Sequence, residues 1–183
     1  MKKALLALLF LVLSLSLGQA RAATFIEKNL AQLSAEAEQI FVGTVSALQS
    51  RKLPSGAIVT DVRFSDLQLV KGSSQGADIV LLVLGGEVDG VRLEIPGLPQ
   101  FQLGTRYLVF SLGNGKDLFP VVGGPGGLFQ IQAGPAAGSS IVLSASGLPL
   151  APGIAAEVLG GTPQSPVTLE QFLGAVRARL GAQ

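Results

Sequence analysis

The chain has 183 residues, carries 13 Lys and Arg against 12 Asp and Glu, and contains neither His nor Cys. That composition excludes thiol nucleophiles, Ser-His-Asp triads and the common zinc sites, and it removes the usual general base near neutral pH. Balanced charge offers no basic surface to a phosphate backbone, so nucleic acid is not an expected partner.

Lys2-Lys3, the apolar run Ala4 to Leu17 and the Ala20-Arg21-Ala22 pattern follow the charged, apolar, small-residue order of a secretory signal. Residues 1–22 are therefore expected to be removed on export, leaving a protein in a periplasm or outside the cell. The run is shorter than a membrane span, and no later segment reaches 18 consecutive apolar residues, so no span is expected after cleavage. Cutting after Ala22 leaves 161 residues, with 10 basic against 12 acidic side chains, a net charge of −2. That is one domain, 23–183, large enough to bury a core without disulfides.

Thr24 with Glu27 fits a capping box, and Ile26, Leu30, Leu33 and Ala37 recur at helical spacing, which predicts a short helix to about Ala37. A first strand follows over Glu38 to Ser46, with Gly43 marking a bulge or a close approach. After the turn Leu53-Pro54-Ser55-Gly56 comes the most informative stretch, Ile58 to Gly72. Its bulky apolar residues fall on even positions as far as Phe64 and on odd positions at Leu67 and Leu69. A period of two that inverts predicts a strand with a bulge at Ser65-Asp66 and with Val62, Phe64, Leu67 and Leu69 all buried. Such a bend suits a small barrel in which one strand serves two sides.

Asp78 to Leu84 reads as a buried strand, Val91 to Ile95 as a strand with one wet face, and Thr105 to Leu112 as another. Gly113 to Asp117 is a hairpin loop between that strand and Leu118 to Val122. Gly123 to Gly127 connects to Leu128 to Gln132, and Ile141 to Leu143 makes the last short strand. Gly147 to Pro166 is small, Pro-rich and weakly apolar, the composition of a surface wrap. A final helix over 168–180 has Thr168 as cap, Gln171 closing the box, Val167 stapling to Phe172, and an apolar stripe of Leu169, Phe172, Leu173, Val176 and Leu180.

Catalytic signals are sparse. Glu87 and Asp89 form the best acidic cluster, but calcium-loop spacing is absent and a solvated turn explains them. Lys71 precedes Ser73 and Ser74 in a flexible polar loop, a poor place to desolvate a lysine for dyad chemistry. Gly123 to Gly127 lacks the lysine and the spacing of a phosphate loop, and positive φ angles in a tight connection account for its glycines. Phe41, Phe64, Phe110 and Phe129 read as core. Leu98, Phe101 and Leu103, in a Pro-flanked loop, are the candidate partner contacts. No catalytic, cofactor-binding or metal-binding residue is expected.

Three motifs in order, Ala37-Glu38-Gln39-Ile40-Phe41-Val42-Gly43-Thr44-Val45, Leu69-Val70-Lys71-Gly72 and Gly104-Thr105-Arg106-Tyr107-Leu108-Val109-Phe110, resemble the netrin-type module that includes the tissue inhibitors of metalloproteinases. The resemblance spans about Ala37 to Ile131. It implies a mainly β, OB-like small barrel, about residues 38–145, with an N-terminal and a C-terminal helix, serving as an extracellular protein-binding domain. The family is disulfide-braced and its inhibitors place an N-terminal cysteine on the protease zinc. This chain has no Cys, so no inhibitory residue carries over. A short Lys-led signal and cysteine-free export match bacterial secreted proteins in style. The expected function is therefore exported, non-catalytic binding of a protein partner. The alternatives are a carboxylate-based hydrolase acting on an envelope or extracellular polymer, and a structural envelope component.

Overall fold

A computed structural model describes residues 27–117, 119–161 and 165–182. The expected signal peptide, its cleavage site and the Thr24 cap lie outside the described residues.

Helix α1 (Leu30–Glu36) starts at Leu30, with Asn29 as its cap. The Asn29 side chain accepts from the Gln32 N–H at 2.8 Å, and Gln32 returns a bond to the Asn29 N–H at 3.0 Å. Strands β1 (Gln39–Lys52) and β2 (Ile58–Lys71) then form a long antiparallel hairpin, closed at Leu53 to Ala57. β3 (Ile79–Leu84) lies on the far side of β2. β4 (Gly86–Val88) and β5 (Val91–Leu93) make a separate small hairpin, and β6 (Arg106–Ser111) returns to pair with the other edge of β1. β7 (Leu128–Ala133) and β8 (Ser140–Ser144) extend the sheet, whose order is β3-β2-β1-β6-β7-β8 with every pair antiparallel. Helices α2 (Pro152–Leu159) and α3 (Leu169–Leu180) finish the chain. Among the described residues no helix is long and apolar enough to cross a membrane.

The expected bulge is present. Val42 pairs with Gln68 and Thr44 with Ser65, so β2 spends one residue more than β1 across Asp66-Leu67. Asp66 takes φ 50°, a left-handed conformation that Asp tolerates. Gly43 stands opposite. A Cβ there would lie 2.9 Å from Leu67 Cδ2, so glycine lets the two strands close up at the bulge. Val62 and Phe64 are buried as expected, whereas Leu67 is only half-buried, packing against the same core. Leu69, expected to be buried, is 41% exposed. A second irregularity follows between Phe41↔Leu69 and Ile40↔Lys71, and Val70 packs against the opposite core.

Three other expectations change. Leu118 to Val122 does not form a strand: Leu118 is outside the described residues, and the rest contributes a single bridge, Ser111↔Val121. Pro120 has no N–H with which to continue a ladder. Val91 is 62% exposed, so β5 does not bury its apolar face. The 147–166 wrap contains α2, which Pro152 opens and Gly160, at φ 71°, ends.

The pleat divides the apolar side chains between two layers. On one face Ile40, Val42, Leu108, Phe110, Phe129 and Val142 meet the three helices, with Phe172 at the centre. On the other, Phe41, Phe64, Leu81, Tyr107, Val109 and Leu128 gather around Phe101 and Phe119. Phe41, Phe64, Phe101 and Tyr107 form an edge-to-face chain with centroid spacings of 5.2, 5.6 and 5.3 Å, the arrangement that ring quadrupoles favour.

Candidate functional site

The β1–β2 hairpin projects beyond β6, and the face that elsewhere carries the Phe101 layer would be bare there. The β4–β5 hairpin folds back over it. Gly85 (φ 109°) and Gly86 (φ 128°) make the reversal. A Cβ on Gly86 would sit 2.3 Å from Thr60 Oγ1 and 2.4 Å from Ser50 Oγ, so the hairpin docks only because nothing projects from that residue.

A polar relay fixes the joint. Thr60 Oγ1 donates to the Gly85 carbonyl at 2.7 Å, which makes Ser50 the donor in the 2.9 Å Ser50–Thr60 hydroxyl pair. Ser50 in turn accepts a longer 3.4 Å bond from the Glu87 N–H. At the outer end Asp89 (φ 53°) and Gly90 (φ 75°) supply the two left-handed residues of a tight hairpin turn, so Asp89 sits in the expected turn, whereas Glu87 stands in β4 opposite Arg92.

Between this hairpin, the sheet and the 94–101 segment lies a cleft of about 270 Å³. Leu48, Val62, Val83, Leu98 and Phe101 give it apolar walls, and Ser50, Thr60, Glu87, Arg92, Glu94 and Gln100 contribute polar groups. Arg92 pairs with Glu94 at 2.7 Å, and Gln100 Nε2 donates to the same carboxylate at 2.8 Å. Both contacts converge on Glu94 Oε1, at a half-exposed position. Among the described residues no cluster of acidic side chains has the grouping needed to hold a metal ion.

Of the three expected contact residues, Leu98 and Phe101 line this cleft and Leu103 does not. Leu98 is half-buried. Phe101 is only 9% exposed and belongs to the aromatic chain, while Leu103 stands 67% exposed in the turn before β6. They do not form one surface. Lys71 is unavailable for a serine dyad, because its Nζ donates to the carbonyls of Ser34 and Ala35 at 2.8 and 3.1 Å, at the end of α1. Gly123 to Gly127 is a tight connection built on Gly123 (φ 64°) and Gly124 (φ 61°), leading directly into β7. The cleft's polar groups come from β1, β2 and the 87–100 segment, and no local motif joins them. The Gly85-Gly86 pair was the available signal, since two adjacent glycines after an apolar strand mark a close backbone approach. Comparison with protein-family models, curated proteins and solved structures finds no match.

Proposed function

We propose that the protein is an exported, non-catalytic protein-binding module that takes an apolar side chain of its partner into the cleft under the β4–β5 hairpin. The observation that carries this reading is the cleft itself, with apolar walls reaching down to Phe101 and a polar rim. Its 270 Å³ falls just below the usual range of small-molecule sites, and suits one or two side chains better than a whole ligand. Leu48, 41% exposed at its edge, supplies apolar surface that a partner would cover. A polymer hydrolase is less well supported, because Glu94 is tied to Arg92 and Gln100 in a half-exposed setting instead of standing free in a dry pocket.

The OB-like reading of the fold belongs here too. Meander β1–β2–β3, with β6 on the second edge of β1 and β7 beyond it, is compatible with a partly open five-stranded barrel. All five strands send side chains into the one layer around Phe101, as curling of the sheet about a common interior requires. β3 and β8 are its edges and share no ladder, so on this reading a netrin-type barrel would here be an open one.

Photocrosslinking from position 93, in the cleft wall, tests the function in native envelope and secreted extract. One protein species should be captured, and Leu48→Glu should abolish the capture while Leu148→Glu, at a distant exposed leucine, leaves it intact. Capture that survives Leu48→Glu would rule out the cleft as the binding site.

A further inference from the structure

Six arginines lie among the described residues, and four are paired: Arg51 with Asp61, Arg63 with Asp78, Arg92 with Glu94 and Arg179 with Glu157. Arg177 is exposed in the last turn of α3, where the helix dipole favours a cation. Arg106 is different. It is half-buried, has no ion pair with a described residue, and its Nε is buried with no hydrogen-bond partner among them. A desolvated N–H left unbonded costs about 1–3 kcal/mol.

The position of Arg106 follows from the fold. As the first residue of β6 it pairs with Thr44 of β1 and Ile131 of β7. By the pleat it shares its face with Leu108 and Phe110, the helix-packed side of the sheet and not the cleft side. There it lines a broad, shallow depression with the β7–β8 connection, Gly134 to Ser139. That connection is drawn tight by the Gly134 N–H to Ser139 carbonyl bond at 2.8 Å and the Ser139 N–H to Ala136 carbonyl bond at 3.0 Å. Among the described residues no acidic side chain lines the depression. Only Nε is both buried and unbonded, so the two terminal guanidinium nitrogens reach solvent.

We propose that Arg106 and the Gly134–Ser139 connection form a carboxylate-binding site, with the two terminal nitrogens of the guanidinium donating to the two oxygens of the ligand. A guanidinium desolvated along its stem acts in a lower effective dielectric than a free surface arginine, so its attraction for an anion is less screened. The planar fork matches a carboxylate. A single positive charge in the depression suits a monoanion better than a phosphate dianion. The carboxylate comes either from an acidic side chain of a protein or from a small free acid, and the chemistry of the site is the same for both.

The test is a titration of the full chain followed by the ¹⁵N–¹H resonance of the arginine Nε groups, with acetate and with an end-capped peptide holding one glutamate. Chloride at matched ionic strength is the reference. The Arg106 resonance should shift saturably with both carboxylates and not with chloride, and Arg106→Gln should weaken binding by about tenfold or more. Tighter binding of the peptide assigns the site to acidic protein segments, and equal binding assigns it to small free acids. An Arg106 resonance that responds to acetate no more than to chloride overturns the site. Because that reading is made on the unsubstituted protein, it holds even where Arg106→Gln does not fold. Affinity unchanged in a folded Arg106→Gln protein overturns it as well.

Discussion

Gly86 holds a conformation, φ 128°, that residues with a side chain rarely adopt, and it faces two hydroxyls that leave no space for a methyl group. Gly86→Ala should therefore cost more than the roughly 1–3 kcal/mol of backbone strain alone. Gly90→Ala, at φ 75° with open space around it, should cost only about 1–2 kcal/mol. Urea unfolding of the pair separates crowding from strain, and equal losses would mean that the hairpin does not dock on Ser50 and Thr60. Tyr107 makes a second claim at this scale. Burial raises its hydroxyl above the ordinary 10.0, and bonds with the Gln102 N–H and the Thr105 side chain only partly oppose that. The native state holds this proton more tightly than the unfolded chain does. Its contribution to stability is therefore complete below about pH 10 and is lost as pH rises through the higher folded value. Tyr107→Phe should lose about 0.5–1.5 kcal/mol at neutral pH and show a shallower alkaline decline. An unchanged decline would place the titration elsewhere.

α3 was the most legible element, because capping and stripe are local properties. Thr168 accepts from the Gln171 N–H, and Gln171 accepts from the Thr168 N–H at 2.9 Å. Phe172 reaches Phe129 with ring centroids 4.9 Å apart and is fully buried. Phe172→Ala should cost about 3–5 kcal/mol, and a loss near zero in thermal unfolding would contradict its central place. The bulge at Asp66 was legible too, since one inserted residue inverts a period of two and leaves a trace in the sequence. Asp66→Val should cost about 1–2 kcal/mol, because a β-branched residue resists φ 50°, whereas Asp66→Gly should be close to neutral. Equal effects in urea unfolding would argue against a left-handed bulge. What escaped the sequence had nonlocal causes. Leu69 keeps its register with Phe41 and is exposed all the same, which alternation along one strand does not foretell. α2 is hidden in a Pro/Gly-rich segment and is recognisable only by Pro152 at its start and Gly160 at its end. Of the cleft, Leu98 and Phe101 were named in advance. Ser50 and Thr60 were not, because only the folded-back hairpin makes them neighbours. Arg106 is invisible for the same reason: an arginine lacking a counter-charge can be seen only once the surrounding residues are in place.

At the scale of the whole molecule the question is how an open sheet protects its ends. The β8 edge is covered by the segment entering α3, with the Val142 N–H donating to the Val167 carbonyl at 2.9 Å and a bridge from Ile141 to Thr168. β3, the other edge, meets no strand on its outer side among the described residues. It meets one side chain instead. From the loop after β6, Asn114 Oδ1 accepts from the Leu82 N–H at 2.8 Å and Asn114 Nδ2 donates to the Val80 carbonyl at 2.8 Å. A primary amide carries the donor and acceptor of a peptide group, so this residue imitates one rung of a missing strand and ties the β6 end of the sheet to β3. Removing it should have two effects of different size. Two exposed hydrogen bonds contribute only about 0.5–1.5 kcal/mol each, so Asn114→Ala should lower stability modestly. It also uncovers a β3 edge that carries alternating Ile79, Leu81 and Val83, the kind of edge that recruits a second chain. The expected result is faster hydrogen exchange at the Leu82 amide and concentration-dependent association, with most of the fold retained. Asn114→Asp keeps an acceptor for the Leu82 N–H, loses the donor to Val80 and adds a repelling charge at the edge. It should therefore stay monomeric despite a similar loss of stability. If sedimentation shows Asn114→Ala as monodisperse as the unmodified protein, with Leu82 exchange unchanged, the amide is not what guards this edge. If Asn114→Asp associates as readily as Asn114→Ala, exposure of the β3 edge is not the cause of the association.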